Sequence, residues 1–175
     1  MAQQPEPELA QMLFEIDTNR IQIIIETLVS FGTRHTASNQ TDPNRGIGAA
    51  RTWLQGQFES IAATSNGRMN VTVQSFVQQP ATGIAVPTVI SNVFATLQGT
   101  EGSNRVYVVS GHYDSRNTDI NDFTNDAPGA DDDGSGVAVS LELARIMATR
   151  QPLATIIFAA GELTLFRSLV LTSLQ

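Results

Sequence analysis

The chain has no cysteine in its 175 residues. Disulfides and thiolate-ligated zinc are therefore excluded. It has two histidines only, His35 and His112, so any imidazole chemistry rests on few positions. Charged residues make up 15% and aromatics 6%, and Lys plus Arg number 10 against 17 Asp plus Glu. The net charge of −7 repels phosphate, so nucleic acid is not an expected partner. A metal ion or the free amino terminus of a peptide fits that sign better. No stretch reaches the roughly 18 apolar residues of a membrane span. The start, Met1-Ala2-Gln3-Gln4-Pro5-Glu6, shows no basic region followed by an apolar one, so no signal peptide is visible. What is present is globular: 41% hydrophobic residues and enough length for one domain with a core. Two sequons, Asn39-Gln40-Thr41 and Asn70-Val71-Thr72, would permit glycosylation in a secreted protein.

Hydrophobic spacing gives the elements. Residues 1–7 read as a loose leader. From Glu8, the residues Leu9, Met12, Leu13 and Ile16 recur at helical spacing. Asp17-Thr18 predicts a cap before a second helix through Ile21, Ile24, Ile25, Leu28 and Phe31, ended by Gly32. A polar loop over 33–45 precedes a third helix from about Gly46 to Ala63, with Trp53, Leu54, Phe58 and Ile61 inward. Alternation predicts strands near 69–78 and 89–98, and Glu101-Gly102-Ser103-Asn104 reads as a hairpin turn. Val106-Tyr107-Val108-Val109 reads as a buried central strand. A long loop follows from Asp114 to Asp133, then a helix from Gly134 to Thr149, and a buried strand from Leu153 to Ala160. The last two strands and their helix form a βαβ unit. The expected fold is α/β, a mixed sheet covered by helices on both faces. Residues 1–16 are read as a leader and helix, and 17–175 as the domain itself.

The chemistry gathers at strand ends. His112 follows one apolar strand, Glu162 follows another, and Asp131-Asp132-Asp133 opens a helix. Ligands in open α/β sheets bind outside the carboxyl ends of strands. An imidazole with clustered carboxylates suits zinc or a similar ion. Asp114 can hold the His112 tautomer from behind.

Three motifs, Gly111-His112-Tyr113-Asp114-Ser115, Ala127-Pro128-Gly129-Ala130-Asp131-Asp132-Asp133-Gly134-Ser135-Gly136 and Phe158-Ala159-Ala160-Gly161-Glu162, closely resemble the two-zinc aminopeptidases, the secreted leucyl aminopeptidases of bacteria and fungi. The resemblance spans about residues 17–166. It implies a zinc exopeptidase-like fold and a two-zinc site that removes residues from the free amino terminus of a peptide. His112 would bind one zinc and Asp132 would bridge both. Asp114 would orient His112, Asp133 would support the bridging carboxylate, and Glu162 would be the general base. The Asp132–Asp133 peptide bond is often cis in that family.

One position departs. The family has a second glutamate, a zinc ligand, where this chain has Leu163, and supplies a further Asp and His downstream of the last motif. The sequence ends at Gln175, so the expected fold is incomplete at its C-terminal side and the expected activity of this chain is weak or absent. The competing reading is a non-catalytic remnant or binding protein with a partial metal site. The apolar tail (Leu163, Leu165, Phe166, Leu169, Val170, Leu171, Leu174) predicts association or aggregation. Two other readings of the acidic run are weaker. It can cap a helix. Its match to a calcium loop through Asp131, Asp133, Ser135 and Glu142 fails because Val137–Leu141 reads as helix interior. His35 and Trp53 read as structural, and Gly46-Ile47-Gly48 follows no strand, so a dinucleotide reading is not supported.

Overall fold

The computed structural model describes residues 6–100 and 105–162. The expected turn at 101–104 and the departure and tail from Leu163 onward lie outside the described residues. Among the described residues, four α-helices and four strands follow one another: α1 (Pro7–Phe14), α2 (Thr18–Ser30), α3 (Ile47–Ala62), β1 (Met69–Gln78), β2 (Thr88–Leu97), β3 (Val106–His112), α4 (Ser135–Ala148) and β4 (Thr155–Gly161).

Local chemistry sets the boundaries. The Asp17 carboxylate accepts the backbone N–H groups of Asn19 and Arg20 at 3.0 and 3.1 Å and starts α2. Ser38 Oγ accepts the Ile47 N–H at 2.9 Å and starts α3. Asn66, left-handed at φ 54°, and Gly67 turn the chain into β1. Trp53 is half-buried and packs against Phe31, with ring centroids 6.3 Å apart. Helix α1 follows its predicted spacing but buries none of its residues.

The sheet is mixed, in the order β1-β2-β4-β3. β1 and β2 are antiparallel, β2 and β4 antiparallel, β4 and β3 parallel. One face carries Val93, Ala95, Leu97, Phe158 and Ala160, which join Leu28 of α2, Leu54 and Phe58 of α3 and Leu141 and Ala144 of α4 in the main core. The other face forms a smaller cluster of Phe94, Ala159 and Ile157.

Two expectations need correction. β2 and β3 do not form a hairpin, because β4 lies between them. β3 is also not a buried central strand. Val106, Tyr107 and Val108 are 53%, 57% and 50% exposed. β4 takes one edge of β3, and among the described residues no strand takes the other. A short apolar run does not by itself tell a strand buried on both faces from one whose side chains stay half exposed. The last strand begins two residues later than expected, at Thr155, since Leu153 is exposed.

Candidate metal centre

The sheet brings the three motifs to one end. His112 closes β3 opposite Gly161 of β4. Tyr113 N donates to Gly161 O at 2.8 Å, which sets Glu162 beside the His112 strand end. α4 crowds this end closely: a Cβ on Gly111 would stand 2.3 Å from Val137 N, so only glycine allows the approach. The acidic run forms a π-turn over Ala130–Gly134, in which Asp132 and Asp133 leave helical geometry. The peptide bond between them is cis.

His112 has an acceptor on each ring nitrogen. Nε2 is 2.8 Å from Asp132 Oδ1. Nδ1 meets Asp114 O at 3.1 Å and Asp114 Oδ1 at 3.4 Å. The hydrogen bond with the Asp114 side chain, against partial burial, pushes the imidazole up to about 9. The metal-free ring is therefore doubly protonated at neutral pH. The Asp132 side chain is 90% exposed, so solvent reaches this pair. Asp133 behaves differently from its neighbour: Oδ2 accepts the His112 N–H and Oδ1 the Gly136 N–H, both at 2.9 Å. It ties the strand end to the start of α4 and makes its contacts with main chain, not with the Asp132 carboxylate. Asp131 contributes its carbonyl, which accepts Ser135 Oγ–H at 2.8 Å.

Glu162 is 1% exposed. Its Oε1 accepts from Ser91 N at 2.9 Å and Tyr113 OH at 3.1 Å, and its N–H donates to Asn92 Oδ1 at 3.0 Å. Its Oε2 is buried with no hydrogen-bond partner among the described residues. Burial pushes this carboxyl up to about 8, opposed by the Ser91 N–H and reinforced by the Asp114 charge. Tyr113, fully buried, also donates to Ser91 O at 2.7 Å, and burial raises its phenol. Tyr113, Ser91 and Asn92 were not singled out from the sequence. The signal for Tyr113 lay inside its motif, whereas Ser91 and Asn92 carry none.

The donor set fits zinc in kind: an imidazole nitrogen and a carboxylate face one another where solvent enters. It is short in number. Among the described residues no group of three His, Cys, Asp or Glu side chains converges to hold a metal, whereas catalytic zinc takes about three protein ligands. The calcium-loop reading fails on geometry as well. Glu142 is buried in α4, accepts Asp17 N at 2.8 Å and pairs with Arg145 at 2.7 Å. His35 is structural, with Nδ1 accepting Ala37 N at 3.0 Å and Nε2 facing Ile120 O at 3.1 Å. No helix of the described residues is long and apolar enough to cross a membrane.

Residues 92–162 match peptidase family M28. A probable zinc metalloprotease of Pyricularia oryzae is 58% identical over 159 residues, covering 91% of this chain and 32% of its own length. Leucine aminopeptidase 1 of Pyrenophora tritici-repentis is 34% identical, covering 79% of this chain and 31% of its own length. The chain thus spans about a third of the length of these curated relatives. Among solved structures, Fimbriiglobus ruber glutaminyl cyclase superposes with a TM-score of 0.65 at 19% identity, over 92% of this chain and 47% of that one. A Zn-dependent exopeptidase from Parabacteroides distasonis gives 0.60 at 17%, over 83% and 46%. Identities this low establish the fold alone. Residues 92–162 thus match the model of peptidase family M28, and the mixed α/β fold is similar to that of a Zn-dependent exopeptidase and a glutaminyl cyclase.

Proposed function

We propose that residues 17–175 are the N-terminal part of the catalytic domain of a secreted two-zinc aminopeptidase, acting on peptides with a free amino terminus. The observation that carries this reading is the meeting of His112 Nε2 and Asp132 Oδ1 at 2.8 Å, with Asp114 behind the ring and Glu162 at the neighbouring strand end. His112 and Asp132 would hold zinc, which when bound polarises the scissile carbonyl and makes water a better nucleophile. Asp114 keeps the imidazole turned so that Nε2 points outward. Asp133 fixes the backbone on which both donors ride. Glu162 takes the proton from the attacking water and returns it to the departing amine. In the metal-free chain burial holds this carboxyl up to about 8, so it must lose its proton before it can act as the base. The acidic surface favours the substrate's ammonium group.

A second reading, a non-catalytic remnant or ligand-binding protein, is favoured by one observation: among the described residues two donors converge where about three are needed. Leu163 stands where the family resemblance calls for a carboxylate ligand. The two readings meet in one expectation, that this chain holds zinc loosely and turns over little. Zinc content after dialysis and hydrolysis of a leucine-anilide test it. Weak zinc binding that disappears in His112→Ala and Asp132→Ala is expected. Zinc binding indifferent to both substitutions would refute the site, and stoichiometric zinc with brisk hydrolysis would refute the impairment.

A further inference from the structure

Among the described residues, one of the largest fully buried side chains is a cation, Arg34. Each of its four hydrogen bonds ends on a main-chain carbonyl. Nε donates to Tyr113 O at 2.6 Å. Nη1 donates to Leu28 O and Pro128 O, each at 2.8 Å. Nη2 donates to Gly129 O at 2.9 Å. Burying a charge is costly, and here the nearby Asp114 charge opposes that cost. An apolar residue would fill the volume without that cost. What an apolar residue lacks is a planar fork of donors with fixed directions.

The acceptors are placed tellingly. Tyr113 directly follows His112. Pro128 and Gly129 directly precede the turn that presents Asp132. Leu28 O belongs to the last turn of α2, the electronegative end of that helix. The guanidinium therefore bolts the exit of β3 and the entry of the acidic turn to one rigid helix. The segment around it repeats the tie. Arg34 N donates to Ser115 Oγ at 3.1 Å, Ser115 N to Arg34 O at 3.1 Å, Ser115 Oγ to Ala127 O at 2.6 Å, and Ala127 N to Gly32 O at 2.9 Å. Gly129 lies left-handed at φ 47°, and a Cβ there would meet Ser115 Cβ at 2.5 Å and Arg34 Nη2 at 2.8 Å. The loop that carries the donors closes around the guanidinium at both ends.

We infer that Arg34 is a positioning residue that sets the spacing between His112 and Asp132 by clamping the backbone on either side of their connecting loop. The metal-binding consequence rests on the function proposed above; the clamping of the loop ends does not. The experiment uses the full chain as wild type, Arg34→Lys, Ser115→Ala and Arg45→Ala, where Arg45 pairs with Asp126 on the exposed side of the same loop. Amide hydrogen exchange is followed without metal, and zinc affinity is measured by competition with a chromophoric chelator. Lysine keeps the charge but not the fork. In Arg34→Lys, exchange at the His112 and Gly134 amides rises about tenfold or more while the Ala95 and Leu97 amides hold, and zinc binds about tenfold more weakly. Arg45→Ala changes neither. Folded Arg34→Lys with wild-type exchange at His112 and Gly134 overturns the inference. If Arg34→Lys does not fold, Ser115→Ala decides: the same selective rise, smaller in size, supports the clamp, and unchanged exchange overturns it. If wild type binds no zinc yet Arg34→Lys shows the selective rise, the metal reading fails and the clamp stands.

Discussion

Glu162→Gln makes the burial of Glu162 measurable. The folded chain holds the Glu162 proton up to about 8, against an ordinary 4.5. The unfolded chain releases it near the ordinary value. Between these pH values the native state binds more protons than the unfolded state, so stability falls as pH rises. The slope is about 1.4 kcal/mol per pH unit, and the accumulated loss at pH 7 is about 3 kcal/mol. Below about 4.5 the effect is absent, and above about 8 it levels off. Glutamine keeps an acceptor for Ser91 N and Tyr113 OH and cannot ionise. The prediction is that Glu162→Gln matches wild type near pH 4.5 and exceeds it by about 3 kcal/mol at pH 7. Urea unfolding of both proteins across pH 4.5–8.5, with a chelator present, reads the difference directly. His112 titrates in both proteins alike, so its contribution cancels. Parallel stability profiles would refute the argument that burial keeps this carboxyl protonated.

The remaining expectations concern the donors and their supports. In the metal-free chain His112 must lose a proton to ligate, so apparent zinc affinity should rise about tenfold per pH unit until about 9 and then flatten; Asp114→Asn should move that break downward, as seen by imidazole NMR titration. Gly111→Ala pushes a methyl against Val137 N and should destabilise the chain by about 2–3 kcal/mol in urea. Glu142→Ala leaves Arg145 and the Asp17 N–H without their buried acceptor and should cost about 3 kcal/mol by the same measurement. Leu163→Glu should tighten zinc roughly tenfold in the chelator competition; no change would separate position 163 from the metal.

The helices and the first two strands were legible because their signals are local. Asp17 caps α2 within three residues, and Asn66-Gly67 marks the entry to β1. The expectation that His112 and Asp132 come together rested on their motifs and the family resemblance, and the structure places His112 Nε2 2.8 Å from Asp132 Oδ1. The neighbours of Glu162 were not legible, since Ser91 lies 71 residues away in sequence and reaches it only through the antiparallel pairing of β2 with β4. The exposure of β3 was hidden for a related reason. Four apolar residues in a row look alike in a central and an edge strand, and only the strand order tells them apart. Arg34 read as part of a polar loop because its value depends on carbonyls up to 95 residues distant.

The sheet order also dictates a sequence of events as the chain is made. β1 and β2 can pair as soon as both exist, being adjacent in sequence and in space. β3 is made next but has no place to dock, because its only partner among the described strands, β4, has not yet emerged. When residues 155–161 arrive, a single insertion joins β2 to β3 and brings Glu162 beside Tyr113 in the same stroke. The joining of β2 to β3 and the contact of Tyr113 with Glu162 are thus one long-range event. A ribosome-stalled chain ending before Thr155 should present an intact β1–β2 ribbon and lack the Tyr113–Glu162 contact.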